Sequence, residues 1–188
     1  MKEYKRITTK QIIDAVVDKQ GLAVSPKGYI CNISLYNCNL REDFVHMLFG
    51  FEIDSSISLF NPDIVINIPN GECSDIFEHD YTYSNKIMKM LLNLIPMNIK
   101  KSYGNELSYV TFSVLHEIGH WKYLCDMNWT PIEYQENDSV EREHFLTLYG
   151  EKLASEDAFL NYRQISSEKA ADKYALSMLE NCLERIVM

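Results

Sequence analysis

The chain has 188 residues, of which 46% are hydrophobic, and it carries a formal net charge of −9. This hydrophobic share is ordinary for a folded protein and excludes an intrinsically disordered chain, and the length suits a single domain over residues 1–188. Lysine and arginine form no basic cluster, which excludes nucleic acid as a partner because phosphate binding requires clustered positive charge.

The cysteines and the apolar runs indicate the compartment. The five cysteines are scattered and include no C-x-x-C pair, a pattern typical of free thiols in a reducing compartment. No apolar segment follows the polar start of the chain, and no later run approaches about 18 apolar residues. We therefore expect a cytoplasmic protein that does not bind a membrane, while the sequence leaves its oligomeric state open.

Helices and strands alternate in the first part of the chain. Thr8 and Gln11 resemble a capping box, which places a helix directly after Thr8. Runs rich in β-forming residues predict strands, and an Asn followed by Glu predicts a helix start. The predicted elements are a helix over 9–20, a strand over 29–36, a short helix between Asn39 and Gly50, and a strand over 62–69.

The strand over 62–69 is the clearest of these elements. Pro62 and Pro69 bracket it, and three isoleucines alternate along one of its faces. Bracketing prolines favour a sheet edge, where one row of backbone groups stays free to pair with a peptide beside a metal-bearing helix. An ordinary core strand explains the same pattern equally well, so both interpretations stay open.

Composition changes repeatedly in the second part of the chain. The acidic and aromatic composition of 71–83 predicts a loop. The polar composition of 133–143 predicts a surface loop that could cover a site. Apolar residues at helical spacing predict the helices between them. The predicted elements are a loop over 71–83, helices over 84–95 and 106–125, a loop over 133–143, helices within 140–162, and a last helix over 167–186.

The pattern H-E-x-x-H lies inside the predicted helix 106–125. His116 and His120 are four residues apart, so on a helix both imidazoles point the same way and can bind one metal ion. Glu117 is offset to the side, where it can reach a metal-bound water without displacing it. This layout is typical of a zinc hydrolase in which Glu117 is the general base.

A tetrahedral zinc ion then needs a third protein ligand if its fourth position holds water. Asp126 has the spacing of the extended motif H-E-x-x-H-x-x-G-x-x-H/D, but Tyr123 replaces the glycine that would turn the chain back. No spacing rule favours any member of a second group, which lies in the acidic stretch after the motif. That group consists of Glu141, Glu143, His144, Glu151 and Glu156.

Glu168 is the third candidate and the one that we predict. Glu168 and Asp172 are four residues apart, so they share one helix face. Ala170, Ala171 and Ala175 are small enough to let this helix pack closely on its neighbour. We expect Glu168 to bind the metal and Asp172 to accept a hydrogen bond from the far ring nitrogen of a ligand histidine.

These two motifs together resemble a known pattern. H-E-I-G-H over 116–120, followed by E-K-A-A-D-K-Y-A over 168–175, resembles the gluzincin pattern H-E-x-x-H…E-x-x-x-D. It is similar, more narrowly, to the ImmA/IrrE-type metallopeptidases of bacteria, phages and mobile elements. The resemblance places the zinc ligands on His116, His120 and Glu168, the catalytic glutamate on Glu117, and a supporting position on Asp172.

The resemblance also implies a fold. It implies an α+β, zincin-like fold that is mostly helical, with a small mixed or antiparallel sheet beside the motif helix. Two features differ from the family pattern. Ala170 stands where a second glutamate is usual, and the separation between His120 and Glu168 is longer than expected.

Three functions are compatible with these motifs. The first is a zinc-dependent endopeptidase acting on a protein or peptide, with a regulatory protein as the substrate class that the resemblance suggests. Tyr149, Tyr162 and His144 are the candidates for stabilising its oxyanion. The second is a zinc-stabilised regulatory or interaction protein without peptide turnover, and the third is a metal-free pseudoenzyme.

Overall fold

A computed structural model describes residues 6–17, 21–37, 49–54, 56, 58, 62–150 and 155–188. These residues form a mostly helical α+β fold with one small mixed sheet, which confirms the predicted class. No helix in the described part of the chain is long and apolar enough to cross a membrane. The elements are α1 (Thr9–Val16), β1 (Cys31–Tyr36), β2 (Gly50–Asp54), β3 (Asp63–Pro69), α2 (Cys73–Leu94), α3 (Met97–Tyr103), α4 (Asn105–Asp126), α5 (Pro131–Tyr149), α6 (Glu156–Tyr162) and α7 (Ser166–Val187).

The first elements follow the sequence patterns closely. α1 begins with the predicted capping box between Thr8 and Gln11. β1 is the predicted strand, shortened by two residues at its start. The short helix predicted between Asn39 and Gly50 falls almost entirely outside the described residues.

β3 is the central strand of the sheet, so of the two interpretations left open for 62–69 the core strand is correct and the sheet edge is not. The order is β1–β3–β2, with β3 parallel to β1 and antiparallel to β2. Pro62 lies before the strand and Pro69 is its last residue, so neither removes an N–H from the interior of the ladder. The isoleucine face of β3 is fully buried in the core.

α2 occupies most of the segment 71–83, which corrects the loop predicted there. Ile76 and Asp80 are four residues apart and both are buried, whereas Glu78 between them is exposed. Asp75 and Glu78 therefore lie on the solvent face of an amphipathic helix, whereas Asp80 lies on its buried face. Ser84, the predicted start of a helix, instead marks a bend within α2, where its φ is −130° and its ψ is 27°.

α5 contains the polar stretch 133–143, which corrects the second predicted loop. Its start is a capping box in which the Thr130 side chain accepts from the Glu133 N–H and the Glu133 side chain accepts from the Thr130 N–H. Pro131 stands at the first helical turn, where its missing N–H costs nothing. The pattern Thr-Pro-x-Glu was the sequence signal for this helix start. The loop was predicted instead because the residues that follow are polar.

α4 and α7 confirm the helices predicted over 106–125 and 167–186, each with one more residue at either end. α4 is the central helix of the protein, and all its residues from 107 to 121 are buried. The helices α1, α2 and α7 and the sheet pack against its different sides. Imidazoles and carboxylates on such a helix need hydrogen-bond partners or an ion.

The contact between α4 and α7 is closest at Gly119. A Cβ atom added to Gly119 would lie 2.7 Å from the Ala171 Cα and 2.8 Å from the Ala171 carbonyl oxygen. Both neighbours are backbone atoms, which cannot move aside as a flexible side chain could. Gly119 and the small Ala171 therefore set how closely the two helices approach, as the alanines of the last helix suggested.

Replacing this glycine should separate the two helices. We expect Gly119→Ala to lower the free energy of unfolding by about 1–3 kcal/mol, despite the ~1 kcal/mol by which alanine is the better helix former. Chemical denaturation measures the change. Gly71→Ala is the control, because its new Cβ would meet only the Ile76 side chain, at 3.7 Å. A Gly119→Ala protein as stable as the wild type would contradict the packing constraint.

Candidate metal centre

The two motif histidines project from the same face of α4. Their Nε2 atoms are 3.2 Å apart, and their ring centroids are 4.8 Å apart. Only 7% of His116 and 5% of His120 is exposed. The four-residue spacing therefore produces the convergence of imidazoles that the sequence predicted.

Glu168 reaches both histidines from the first turn of α7. Its Oε2 atom lies 3.3 Å from His116 Nε2, and its Oε1 atom lies 3.8 Å from His120 Nε2. Glu168 is itself buried, with 4% of its surface exposed. The three residues form the one group of histidine, cysteine and acidic side chains, among those described, whose ligand atoms could hold a metal ion.

The other candidates for a third ligand lie elsewhere. Asp126 is exposed and forms an ion pair with Lys122 at the end of α4. Glu141 accepts a hydrogen bond from the backbone N–H of Ser166. Glu151 lies outside the described residues, and the remaining candidates are exposed to solvent, namely Glu143, His144 and Glu156.

The outer ring nitrogens of both histidines have partners. His116 Nδ1 lies 3.0 Å from Asp172 Oδ1 and donates to it, as the sequence predicted for Asp172. His120 Nδ1 lies 3.0 Å from the hydroxyl of Tyr134. With hydrogens on the two Nδ1 atoms, both Nε2 lone pairs face inward toward Glu168.

This donor arrangement fits a divalent metal ion. Two ligand atoms about 2.0–2.1 Å from one tetrahedral zinc ion are about 3.3 Å apart. The distances from His116 Nε2 to His120 Nε2 and to Glu168 Oε2, 3.2 and 3.3 Å, are close to that value. Two inward-facing nitrogen lone pairs at this separation repel each other unless a metal ion or a proton lies between them.

Two arginines that the sequence analysis missed hold the acidic side of the cluster. Arg163 donates through Nη1 to Glu168 Oε2 at 3.0 Å and through Nε to Asp172 Oδ2 at 2.8 Å. Arg142 donates through Nη2 to Glu168 Oε1 at 2.7 Å. Tyr162 donates its hydroxyl hydrogen to the same Oε1 atom at 3.0 Å. Glu168 is therefore salt-bridged as well as placed to bind a metal.

The net charge of this cluster is compatible with a bound divalent cation. Arg142 also pairs with Asp138, at 2.5 Å, so two guanidinium groups contact three carboxylates. Glu117 adds a fourth carboxylate on the same cavity wall. With neutral imidazoles, as in a metal-bound site, the four carboxylates exceed the two arginines by two negative charges, which one divalent ion balances. Without a metal, the raised pKa of His116 places a proton there that offsets one of these charges.

Burial shapes the protonation of the motif residues. Burial raises the pKa of Glu117 to about 7 and lowers the pKa of His120 to about 3. Burial also opposes a proton on His116, but the hydrogen bonds to Asp172 and Glu168 prevail and raise its pKa to about 9. The acidic neighbours thus favour positive charge at the place where the two Nε2 atoms meet.

A cavity of about 590 Å³ reaches this cluster. All three candidate ligands and Glu117 line it, together with apolar side chains of α2, α4 and α6. A space of this size accommodates several side chains of a ligand. A molecule in the cavity can therefore approach the two histidines and Glu117 at once.

β2 lies along the cavity beside α4. The Phe51 ring stacks on His120 with centroids 5.8 Å apart. The backbone N–H of Phe51 donates to Glu117. In the described residues β2 pairs on one side only, with β3, so β2 has the edge position that was one of the two interpretations of 62–69. The alternating apolar and acidic residues of Phe51 to Asp54 were the signal for this strand.

Comparisons of the chain with models of protein families, with curated proteins and with solved structures find no match. The interpretation of this site therefore rests on its donor atoms, their distances and their surroundings.

Removing Glu168 should abolish tight metal binding. We expect Glu168→Ala to weaken Zn²⁺ binding by more than the roughly 10–100-fold that is usual for losing a supporting residue, because it removes one of three buried donors. Isothermal titration calorimetry measures the affinity. Asp126→Ala is the control, since this rival ligand is exposed and pairs with Lys122. A larger loss in Asp126→Ala than in Glu168→Ala would contradict the assignment.

Asp172 should act through His116. Asp172→Asn weakens the hydrogen bond that orients the imidazole, so we expect Zn²⁺ affinity to fall by about 10–100-fold. The same calorimetric titration measures this change. Glu180→Gln, an exposed acidic change on the same helix, should keep the wild-type affinity. Equal affinities of Asp172→Asn and Glu180→Gln would show that the contact with His116 has no such role.

Proposed function

We propose that this protein is a zinc-dependent metallopeptidase that hydrolyses peptide bonds of a protein or peptide. The observation that carries the proposal is the convergence of His116, His120 and Glu168 at a cavity that Glu117 also lines. Buried donors alone are compatible with a structural metal. Donors that share a large cavity with a carboxylate favour hydrolysis.

Zinc is the metal that this donor set favours. Two imidazoles and one carboxylate are a common protein ligand set of catalytic zinc, which leaves a fourth position for water. When bound, the metal lowers the pKa of its water and polarises the scissile carbonyl group. His116, His120 and Glu168 would hold it, and Asp172, Tyr134 and the arginines would orient those ligands.

Glu117 is the proposed general base. It lies next to His116 on α4 and lines the cavity, where it can take a proton from the attacking water. It then delivers that proton to the nitrogen of the leaving amine. The hydrogen bond from the Phe51 N–H holds the carboxylate in place between α4 and β2.

Tyr162 is the proposed stabiliser of the oxyanion. Of the three candidates, Tyr162 lines the cavity and has its hydroxyl 3.0 Å from Glu168 Oε1. Tyr149 instead stacks on Phe145, with ring centroids 5.1 Å apart, and His144 is exposed. The one hydroxyl hydrogen of Tyr162 is donated to Glu168 Oε1, so it must turn away from Glu168 to donate to negative charge that develops on the carbonyl oxygen.

β2 is the proposed docking strand for the substrate backbone. It follows the cavity wall through Gly50 and Phe51 and has one paired edge among the described residues. A peptide in extended conformation can add to such an edge through main-chain hydrogen bonds, which accept many sequences. This placement would bring a peptide bond to Glu117 and the two histidines.

The two motifs support membership of the gluzincins, with a zincin-like fold and a likeness to the ImmA/IrrE-type metallopeptidases. A helix carrying both histidines, a second helix carrying the glutamate, and a strand beside the first are the parts that this proposal requires. A regulatory protein stays the proposed substrate class. The alternative, a zinc-stabilised interaction protein without turnover, requires a closed coordination shell, which a cavity reaching all three donors does not favour.

Replacing the general base should separate metal binding from catalysis. We expect Glu117→Gln to retain zinc and to lower peptide hydrolysis by about 10²–10⁴-fold, because the amide cannot take a proton from water. Mass spectrometry of a random peptide mixture measures cleavage, and elemental analysis measures zinc. Glu106→Gln, an exposed change on the same helix, is the control. Undiminished cleavage by Glu117→Gln would rule out the proposed role.

A further inference from the structure

A second buried carboxylate lines the cavity far from the metal ligands. Asp80 comes from α2 and has 6% of its surface exposed. None of the metal-site contacts described above involves it. Its position in the wall of a substrate-sized cavity requires an explanation of its own.

The neighbours of Asp80 place it along the cavity. Its Oδ2 accepts a hydrogen bond of 2.9 Å from the hydroxyl of Tyr109, and its Oδ1 lies 3.5 Å from His79 Nδ1. Tyr109 precedes His116 by two helical turns on the same face of α4, a rise of about 10 Å. Asp80 therefore contacts a residue of α4 that precedes the motif, and it lines another part of the same wall.

Asp80 differs in its charge balance from Glu168, the carboxylate at the metal-ligand end of the cavity. Glu168 contacts two arginines. Among the described residues, no lysine or arginine lies within 4.0 Å of Asp80, and its one ion-pair partner is His79. Burying a carboxylate without a strong cation is costly, and a cation on a ligand would remove that cost.

The cavity wall is mostly apolar, although Ser113 of α4, which lies between Tyr109 and His116, also lines it. Met88 and Phe112 are 1% exposed, and they line the cavity together with Leu91. A long side chain with an apolar stem and a charged head suits such a passage, because the stem packs on the wall and the head reaches a polar group. Lysine and arginine are the two amino acids with that construction.

We propose that Asp80 is a specificity determinant that binds the ammonium or guanidinium group of a substrate lysine or arginine close to the cleaved bond. This inference rests on the proposed peptidase function and names its substrate class. A basic side chain that starts near the metal ligands follows the apolar wall and ends at Asp80. Tyr109 holds the carboxylate in the orientation that receives the cation.

Cleavage of a random decapeptide mixture by the zinc-loaded wild-type protein tests the inference first. We expect lysine and arginine to be enriched at one position next to the cleaved bond. A matched pair of peptides, with lysine or the uncharged norleucine at that position, then measures the preference as a ratio of kcat/KM. Acetyl-lysine in the same position removes the charge and should behave like norleucine.

Asp80→Asn is the decisive variant, because the amide oxygen still accepts from Tyr109 while the negative charge is lost. We expect the lysine-to-norleucine ratio to fall tenfold or more. Asp75→Asn, an exposed change on the same helix, should keep the wild-type ratio. Thermal melting checks the fold, and Asp80→Ser replaces Asp80→Asn if that variant does not fold.

The outcomes separate this inference from the peptidase proposal. Cleavage without a preference for basic residues, or a preference that Asp80→Asn leaves unchanged, overturns the inference alone. If zinc-loaded protein cleaves no peptide, the peptidase proposal fails, and the inference is decided by calorimetric binding of two decapeptides that differ only in a central lysine or norleucine. Binding of the lysine peptide at least tenfold tighter than the norleucine peptide, lost in Asp80→Asn, supports it, and equal binding overturns it.

Discussion

The close approach of α4 and α7 at Gly119 is the constraint on which the candidate site depends. α4 supplies two imidazoles and α7 supplies the carboxylate, and these side chains are short. Glu168 lies within 3.3 Å of His116 Nε2 because the helix backbones nearly touch one turn away, where a Cβ on Gly119 would overlap Ala171. The glycine between the two motif histidines therefore has a packing role, while the histidines beside it supply the candidate metal ligands.

Charge is the second organising feature. Burying several carboxylates beside two histidines is unfavourable unless cations compensate for them. Arg142 and Arg163 compensate in part and at the same time fix Glu168 and Asp172. The remaining negative charge falls where the two Nε2 atoms meet, so the same network that stabilises the fold favours a divalent ion.

Composition misled the sequence analysis where polar residues cover one face of a helix. The segments 71–83 and 133–143 were predicted as loops because acidic residues dominate them, yet both lie mainly in helices. Ile76 of α2 and Tyr134 of α5 are buried in the core, whereas Val140 of α5 is exposed. The sequence also left open whether 62–69 is an edge strand or a central strand. Prolines at the ends of 62–69 are compatible with a central strand as well as an edge, and local sequence cannot distinguish the two.

By itself the sequence determined the motif helix, the last helix, and the residues most able to bind a metal. The reason is that helical spacing is local, so residues four apart must share a face. Only the tertiary structure decided that Glu168 rather than Asp126 faces the histidines, that β2 lies beside them, and that Arg142, Arg163 and Asp80 line the same space. Those residues come from separate elements, and their meeting depends on packing between elements, which no local pattern encodes.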